Sequence, residues 1–302
     1  DRPWLSVGAE TISSTHSLFN LQSVALIVLL QPKSITKKLS MILPKAIAQA
    51  ISAICVAILC SISTFSHAET MRVGYFITSP HVIIEPETNK LTGACVEFFE
   101  KYIAPEMGIT VEWAAGASSI PRLLNQLENH TLDVGLVFAK NAERETILNY
   151  PQNPFLTSHT TLAFLKNHPI NKIEKPEDIF GLIIGYGNKA HISPFMRNKK
   201  IIFDIVSSPD WMDVNLLKLL SGRNDAIFQP ESSSLLYYIK KHKLEDRVKL
   251  ISLPETVGLY TTFSKKADKS LTERYDRAFE KINGTELYLQ ILSKYIDINS
   301  LR

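Results

Sequence analysis

Cysteine is scarce in this chain: three in 302 residues, with no Cys-x-x-Cys pair, and the eight histidines contain no His-x-x-x-His pair. No disulfide framework and no sequence-local metal site is therefore argued, and no metal or other cofactor is expected. Low-complexity tracts and internal repeats are also missing, so the chain is long enough and mixed enough for one large or two medium domains with real cores. Nor is there much excess charge. Of 33 Lys/Arg and 30 Asp/Glu, five basic residues (Arg2, Lys33, Lys37, Lys38, Lys45) and two acidic ones (Asp1, Glu10) fall in residues 1–68, leaving 28 of each sign behind them. A neutral body argues against a nucleic-acid partner, which needs a basic face.

What is present begins with an address. From Met41, the segment MILPKAIAQAISAICVAILCSISTFSHAET has Lys45 at its start, an apolar run from Ala46 to Ile62, and Ser66-His67-Ala68 before Glu69. That is the charged, apolar, small-x-small order of a cleaved secretory signal peptide, and it predicts a periplasmic protein. A membrane anchor is the alternative, but Gln49 and several serines leave the run only weakly apolar. Lipid attachment is not indicated, because Cys55 and Cys60 lack a small residue just before them. Residues 1–40 precede this start and read as an upstream, non-native leader; their apolar run, Val24 to Leu30, is too short to span a bilayer. Cys95 alone stays with the body, on an apolar helix face, where it is expected to pack.

The stretch Leu132 to Phe155 organises the rest. Leu132, Val134, Leu136, Val137 and Phe138 make a short buried strand, and the polar turn Lys140-Asn141-Ala142-Glu143 then brings Arg144 to the strand's carboxyl end. Ligands of open α/β sheets bind outside that end, so Arg144 is a natural anion clamp. Taken alone, the stretch favours a solvated surface Arg144 pairing with Glu143 or Glu145, and the rest of the chain tips the reading to the clamp.

Around it the elements alternate. Met71 to Phe76 is a strand, and Glu87-Thr88-Asn89-Lys90 a hairpin tip. Val96, Phe99 and Ile103 mark a helix ending by Gly108, and Ile109 to Trp113 is a strand. A helix from Ser119 follows, with Pro121 in its first turn. Downstream, strands are predicted at 160–165, 182–186, 201–205, 226–228 and 248–253, with an extended stretch from Pro254 to Phe263. A helix with Val214, Leu217 and Leu220 on one face lies among them, another runs from Tyr237 to Lys243, and Leu271 to Tyr295 is largely helical. Gly185-Tyr186-Gly187-Asn188-Lys189-Ala190 is a weak dinucleotide fingerprint; it reads better as a glycine turn into a helix starting at Ala190–His191. The N–H groups of that helix start would offer an anion grip, with Asn188 and His191 as candidate ligands.

Several pieces, in order, resemble the family 3 extracellular solute-binding proteins, the polar-amino-acid type of periplasmic binding protein. They are Met71-Arg72-Val73-Gly74, Leu91-Thr92-Gly93, Leu127 to Asp133, Glu143-Arg144-Glu145 with Tyr150-Pro151 and Pro154-Phe155, Lys172 to Ile179, and Leu217 to Ala226. The resemblance runs from about Met71 to Ile298. It implies an α/β, two-lobed, type II periplasmic-binding-protein-like fold, each lobe a mixed sheet flanked by helices, joined by two crossover hinge strands. The lobes would be residues 69–158 plus 257–302, and 159–256, after a signal peptide at 41–68.

The resemblance also implies a site. Arg144 matches the Arg that holds a ligand carboxylate between the lobes. Tyr75, His81 and Phe138 fall where the family puts aromatic or apolar walls. Two positions depart from the pattern. The usual Thr five residues before the Arg is Ala139, and the amine-binding carboxylate would fall at Pro230, with Glu231 one residue later. Glu231 either takes that role or caps the helix at Ser232–Ser234, in which case the ligand lacks an α-ammonium. The expectation is a monomeric, non-enzymatic binding protein that closes on a small amino acid or related carboxylate. It would act in ABC-type uptake with a permease, or in sensing. The alternative is an enzyme on the same fold, similar to cyclohexadienyl dehydratases, with Glu231 as its one candidate acid.

Overall fold

The computed structural model describes residues 69–208 and 210–301. The expected leader and signal segment, with Cys55 and Cys60, lie outside the described residues. Among the described residues no helix is long and apolar enough to cross a membrane.

The elements run in the order β1 (Glu69–Gly74), the hairpin β2 (Ile83–Ile84) and β3 (Leu91–Thr92), and α1 (Ala94–Phe98). This helix continues through a π turn at Phe99–Ile103 and a last α turn at Ala104–Met107. Gly108 ends it in the left-handed region, φ 66°, a conformation glycine adopts without a Cβ clash. Then come β4 (Ile109–Trp113), α2 (Ile120–Glu128), β5 (Val134–Ala139), the one-turn α3 (Ala142–Glu145), β6 (Leu148–Asn149) and β7 (Leu156–Leu165). The second half holds β8 (Ile183–Gly187), β9 (Ile202–Val206), α4 (Trp211–Leu220), β10 (Ala226–Gln229) and α5 (Ser232–Lys241). It closes with β11 (Val248–Ser264), α6 (Ser270–Lys281) and α7 (Gly284–Leu292).

The fold is the expected two-lobed mixed α/β architecture. One hydrogen-bonded path runs β4-β1-β5-β11-β7-β10-β8-β9. In the first lobe β1 lies parallel to β4 and β5, with Met71 opposite Val111 and Val73 opposite Val134, and β5 is antiparallel to β11. In the second, β8 is parallel to β9 and β10, and β10 is antiparallel to β7. The long strands β7 and β11 pair with each other from Leu165–Val248 to Leu156–Leu259, with a register shift between Ser252 and Thr256. These are the two crossings between the lobes.

Burial follows the sequence pattern in most elements. Leu123 and Leu127 of α2 are fully buried, as is Cys95 on α1, packed among aromatic and aliphatic side chains. Burial raises the Cys95 thiol well above its ordinary pKa, so it is inert packing. Asp133, part of the family-like signature before β5, is structural. It accepts from the Arg72 main chain (2.9 Å), from Arg72 Nε (2.9 Å) and from Arg72 Nη2 (2.7 Å), and so ties β1 to β5.

Two expectations fail. The core face of α4 is Met212, Asn215, Leu216 and Leu219, while Leu217 is 68% exposed. Apolar residues surround much of this helix, so spacing alone did not single out the face that meets β8 and β10. And no helix starts at Ala190–His191. After the turn at Asn188–Lys189 the chain stays irregular until a 3₁₀ turn at Phe195–Arg197. Pro194 supplies the reason: it lacks an N–H and disfavours a helical Ser193 before it.

Candidate functional site

The carboxyl end of β5 meets the turn after β8 across the gap between the lobes. Val137 in β5 has φ 63°, an outlier for a β-branched residue, where the pairing of β5 with β11 shifts register. Such strain persists only where surrounding structure over-determines it, and Val137 lines the interlobe cavity. Beyond Ala139, the Asn141 side chain caps α3 by accepting from the Arg144 main-chain N–H at 2.8 Å. That cap turns the chain so that the Arg144 side chain points back over the strand end.

Arg144 is 6% exposed. Its Nη1 donates to the Ala139 carbonyl (2.9 Å) and its Nη2 to the Lys189 carbonyl in the other lobe (3.0 Å). Its guanidinium carbon lies 5.1 Å from the centre of the Phe138 ring, a cation–π contact. No carboxylate of the described residues pairs with it: Glu143 faces Lys189 at 3.9 Å, and Glu145 faces Lys140 at 3.0 Å. The solvated pairing that the sequence also allowed is thus not what forms. Burial pulls the Arg144 pKa down, the signature of a desolvated cation without a counterion.

Arg144 shares a cavity of about 40 Å³ with Thr78, His191, Gln229 and Glu231 as polar neighbours and Phe76 and Trp211 as aromatic ones. A second cavity of about 160 Å³ adjoins it through Phe76, Ile120 and Trp211, and is edged by Ser118, Ser119, Ser207, Ser208 and Asn188. Trp211 rests on Gly187, where an added Cβ would stand 2.6 Å from the indole. Gly187→Ala should therefore push the indole into the cavity, costing about 1–3 kcal/mol and changing tryptophan fluorescence. Unchanged emission and stability would contradict this packing.

His191 is 9% exposed, and its Nδ1 has no hydrogen-bond partner among the described residues. Burial, then Arg144 and Arg197, pushes its pKa down to about 4. Between pH 6.5 and 4 the unfolded chain then binds a proton that the folded one refuses, so stability falls as pH drops through this window. The loss amounts to at most about 3 kcal/mol. His191→Gln should flatten this segment in denaturation curves taken at pH 7 and pH 4.5; an unaltered slope would show that His191 is not its source.

Glu231 is 3% exposed and caps α5. One oxygen accepts from Ser233 N (2.7 Å) and from the Ser233 hydroxyl; the other accepts from Ser234 N (3.2 Å), Ser234 Oγ (2.5 Å) and Gln229 Nε2 (3.3 Å). Burial alone would raise its pKa, but His81 and the two hydroxyls outweigh it and bring it down to about 2. His81 itself is fully buried, with Nε2 2.8 Å from Ser233 Oγ and Nδ1 2.5 Å from the Tyr288 hydroxyl of α7. With a proton on Nε2, His81 donates to the Ser233 hydroxyl, which in turn donates to Glu231, and the imidazole stands 3.6 Å from the carboxylate.

Of the residues singled out from the sequence, the structure thus brings Arg144, Glu231 and His191 to one cavity, with Phe138 beneath the guanidinium. Asn188 edges the adjoining cavity and is exposed. Tyr75 is placed elsewhere, buried in the first lobe's core with its ring centre 6.1 Å from that of Trp113. His81 belongs to the buried polar chain beside the cavity. Phe76, Trp211 and Gln229 were missed. Strand alternation between Tyr75 and Phe76 was the available signal for the first, whereas nothing local marks the other two.

Two lobes joined by paired crossings, with a buried guanidinium between them, define a bilobal solute-binding fold. The chain belongs to the bacterial extracellular solute-binding proteins, family 3, whose family model matches residues 71–298. Among curated proteins no match is found. Solved structures of similar fold include ArgBP from T. maritima (16% identity, TM-score 0.63), covering 75% of this chain and 94% of that one. The GluR0 ligand-binding core from Nostoc punctiforme, in complex with L-glutamate, is 17% identical with TM-score 0.62, covering 74% and 98%. The periplasmic VFT2 domain of Bordetella pertussis BvgS is 14% identical with TM-score 0.62, covering 75% and 93%.

Proposed function

We propose that this is an exported, periplasmic solute-binding protein that closes on a small amino acid or related carboxylate, as a monomer, for ABC-type uptake with a permease or for sensing. Residues 41–68 act as its signal peptide, and residues 69–158 with 257–302 and residues 159–256 form the lobes. The observation that carries the reading is Arg144, a buried cation between the lobes with no carboxylate partner among the described residues. A guanidinium has five donors, and two are committed to main-chain carbonyls, so the remainder can orient a carboxylate bidentately. The inner cavity of about 40 Å³ holds a few waters at most, which supports ligand entry by parting of the lobes about β7 and β11, while the outer side of Arg144 faces a more open cavity of about 530 Å³. An ancestral arginine-binding protein bound to arginine and the GluR0 core in complex with L-glutamate, both of similar fold, support an amino-acid-sized ligand, and the substrate binding protein of an amino acid ABC transporter supports uptake.

The enzyme alternative gains no support from the site. Glu231, its one candidate acid, has both oxygens occupied by donors of its own helix start.

The test is a thermal-shift screen of the purified, ligand-stripped protein against amino acids and small carboxylates. A ligand at a hundredfold over its Kd stabilises by about 2.7 kcal/mol. Scattering measurements should show a smaller radius of gyration with the ligand than without it. If no small acid stabilises the protein, the proposal is wrong.

A further inference from the structure

We infer that the interlobe site takes an organic acid without an α-ammonium group, a 2-hydroxy acid with an apolar side chain. This rests on the reading of Arg144 as the carboxylate clamp. An α-amino acid brings a second demand, an acceptor set for three ammonium protons in a place shielded from water, where an unpaired charge is costly. Glu231 is the one carboxylate lining the cavity, and the adjoining cavity is lined by none.

A carboxylate offers about four lone-pair sites. Five donors already converge on Glu231: the main chain and hydroxyl of Ser233, the main chain and hydroxyl of Ser234, and the amide of Gln229. Turning it toward an ammonium would orphan the first N–H groups of α5 and buried hydroxyls with them. Its charge is thus spent on its own helix. The Ala139 carbonyl, another acceptor at the site, already takes Arg144 Nη1 at 2.9 Å and the Tyr150 hydroxyl at 3.2 Å.

The other side-chain acceptors of the two cavities are neutral, from Thr78, the serines and Asn188 to Gln229, whose Oε1 is buried and without a partner among the described residues. One neutral carbonyl matches one neutral O–H donor. His191 Nδ1, equally unpartnered, adds a second neutral ring contact. Phe76, Ile120 and Trp211, shared by the two cavities, supply an apolar wall for a side chain.

Calorimetric titration of the purified protein with matched pairs decides the matter: L-phenylalanine against L-3-phenyllactate, and L-leucine against L-2-hydroxyisocaproate. At least one hydroxy acid should bind at least tenfold more tightly than its amino partner. In a Ser233→Ala, Ser234→Ala double variant, with two donors taken off Glu231, the gap should narrow. If an amino acid binds as tightly as its hydroxy partner and Arg144→Ala abolishes that binding, the inference is overturned while the clamp stands. If no acid of either kind binds, both are overturned.

Discussion

Arg144→Ala should abolish ligand-induced stabilisation, with at least a hundredfold loss of affinity, about 3 kcal/mol, while the fold survives. The two halves of this expectation have separate causes. Affinity falls because no other guanidinium or ammonium lines the cavity, so a bound carboxylate would lose its counterion and its orientation together. The fold survives because Arg144 satisfies no buried acid. Its loss leaves the carbonyls of Ala139 and Lys189 short of one donor each, a cost of about 1 kcal/mol apiece, and relieves the burial of an unpaired charge. Arg144→Lys should recover only part of the affinity, since an ammonium cannot make the planar two-point contact. Calorimetric titration together with urea denaturation separates the two effects. Retained affinity in the alanine variant would remove Arg144 from the site.

Glu231→Ala should be the most damaging single change to stability, costing about 3–4 kcal/mol, or roughly 10 °C in Tm for a body of this size. The loss combines a helix cap with several buried donors left facing nothing. Because the folded-state pKa lies near 2, below the ordinary carboxylate value of 4.5, this contribution is complete above about pH 4.5. It fades as pH falls toward 2. The gap between parent and variant should therefore be constant from pH 7 to 5 and shrink below, a window distinct from that of His191. A gap that does not shrink in acid would show that the charged form is not what stabilises α5.

Much of the fold was readable in the sequence because its signals are local. Strand alternation marked β1, β4 and β5, Gly108 ended α1, and the polar turn after β5 announced Arg144. The site was readable where a single residue type carries the chemistry, as for Arg144, and ambiguous where context decides. Glu231 offered two roles from the same letters; the serines two and three residues on settle its cap geometry through their main-chain N–H groups and hydroxyls. The misread helix at Ala190 shows a glycine turn outvoted by Pro194 four residues later. Trp211 was missed because its partner, Gly187, sits on a strand of another segment, a contact that no window of sequence contains.

The pairing of β5 with β11 has a consequence for how the chain is made. Phe138 meets Tyr260 and Val134 meets Phe263, partners more than a hundred residues apart, and α6 and α7 complete the same core from still later in the chain. A chain that emerges amino-terminus first exposes the apolar edge of β5 until β11, more than a hundred residues later, arrives. Its first lobe is then slow to close, because a long loop must be drawn in before that edge is covered.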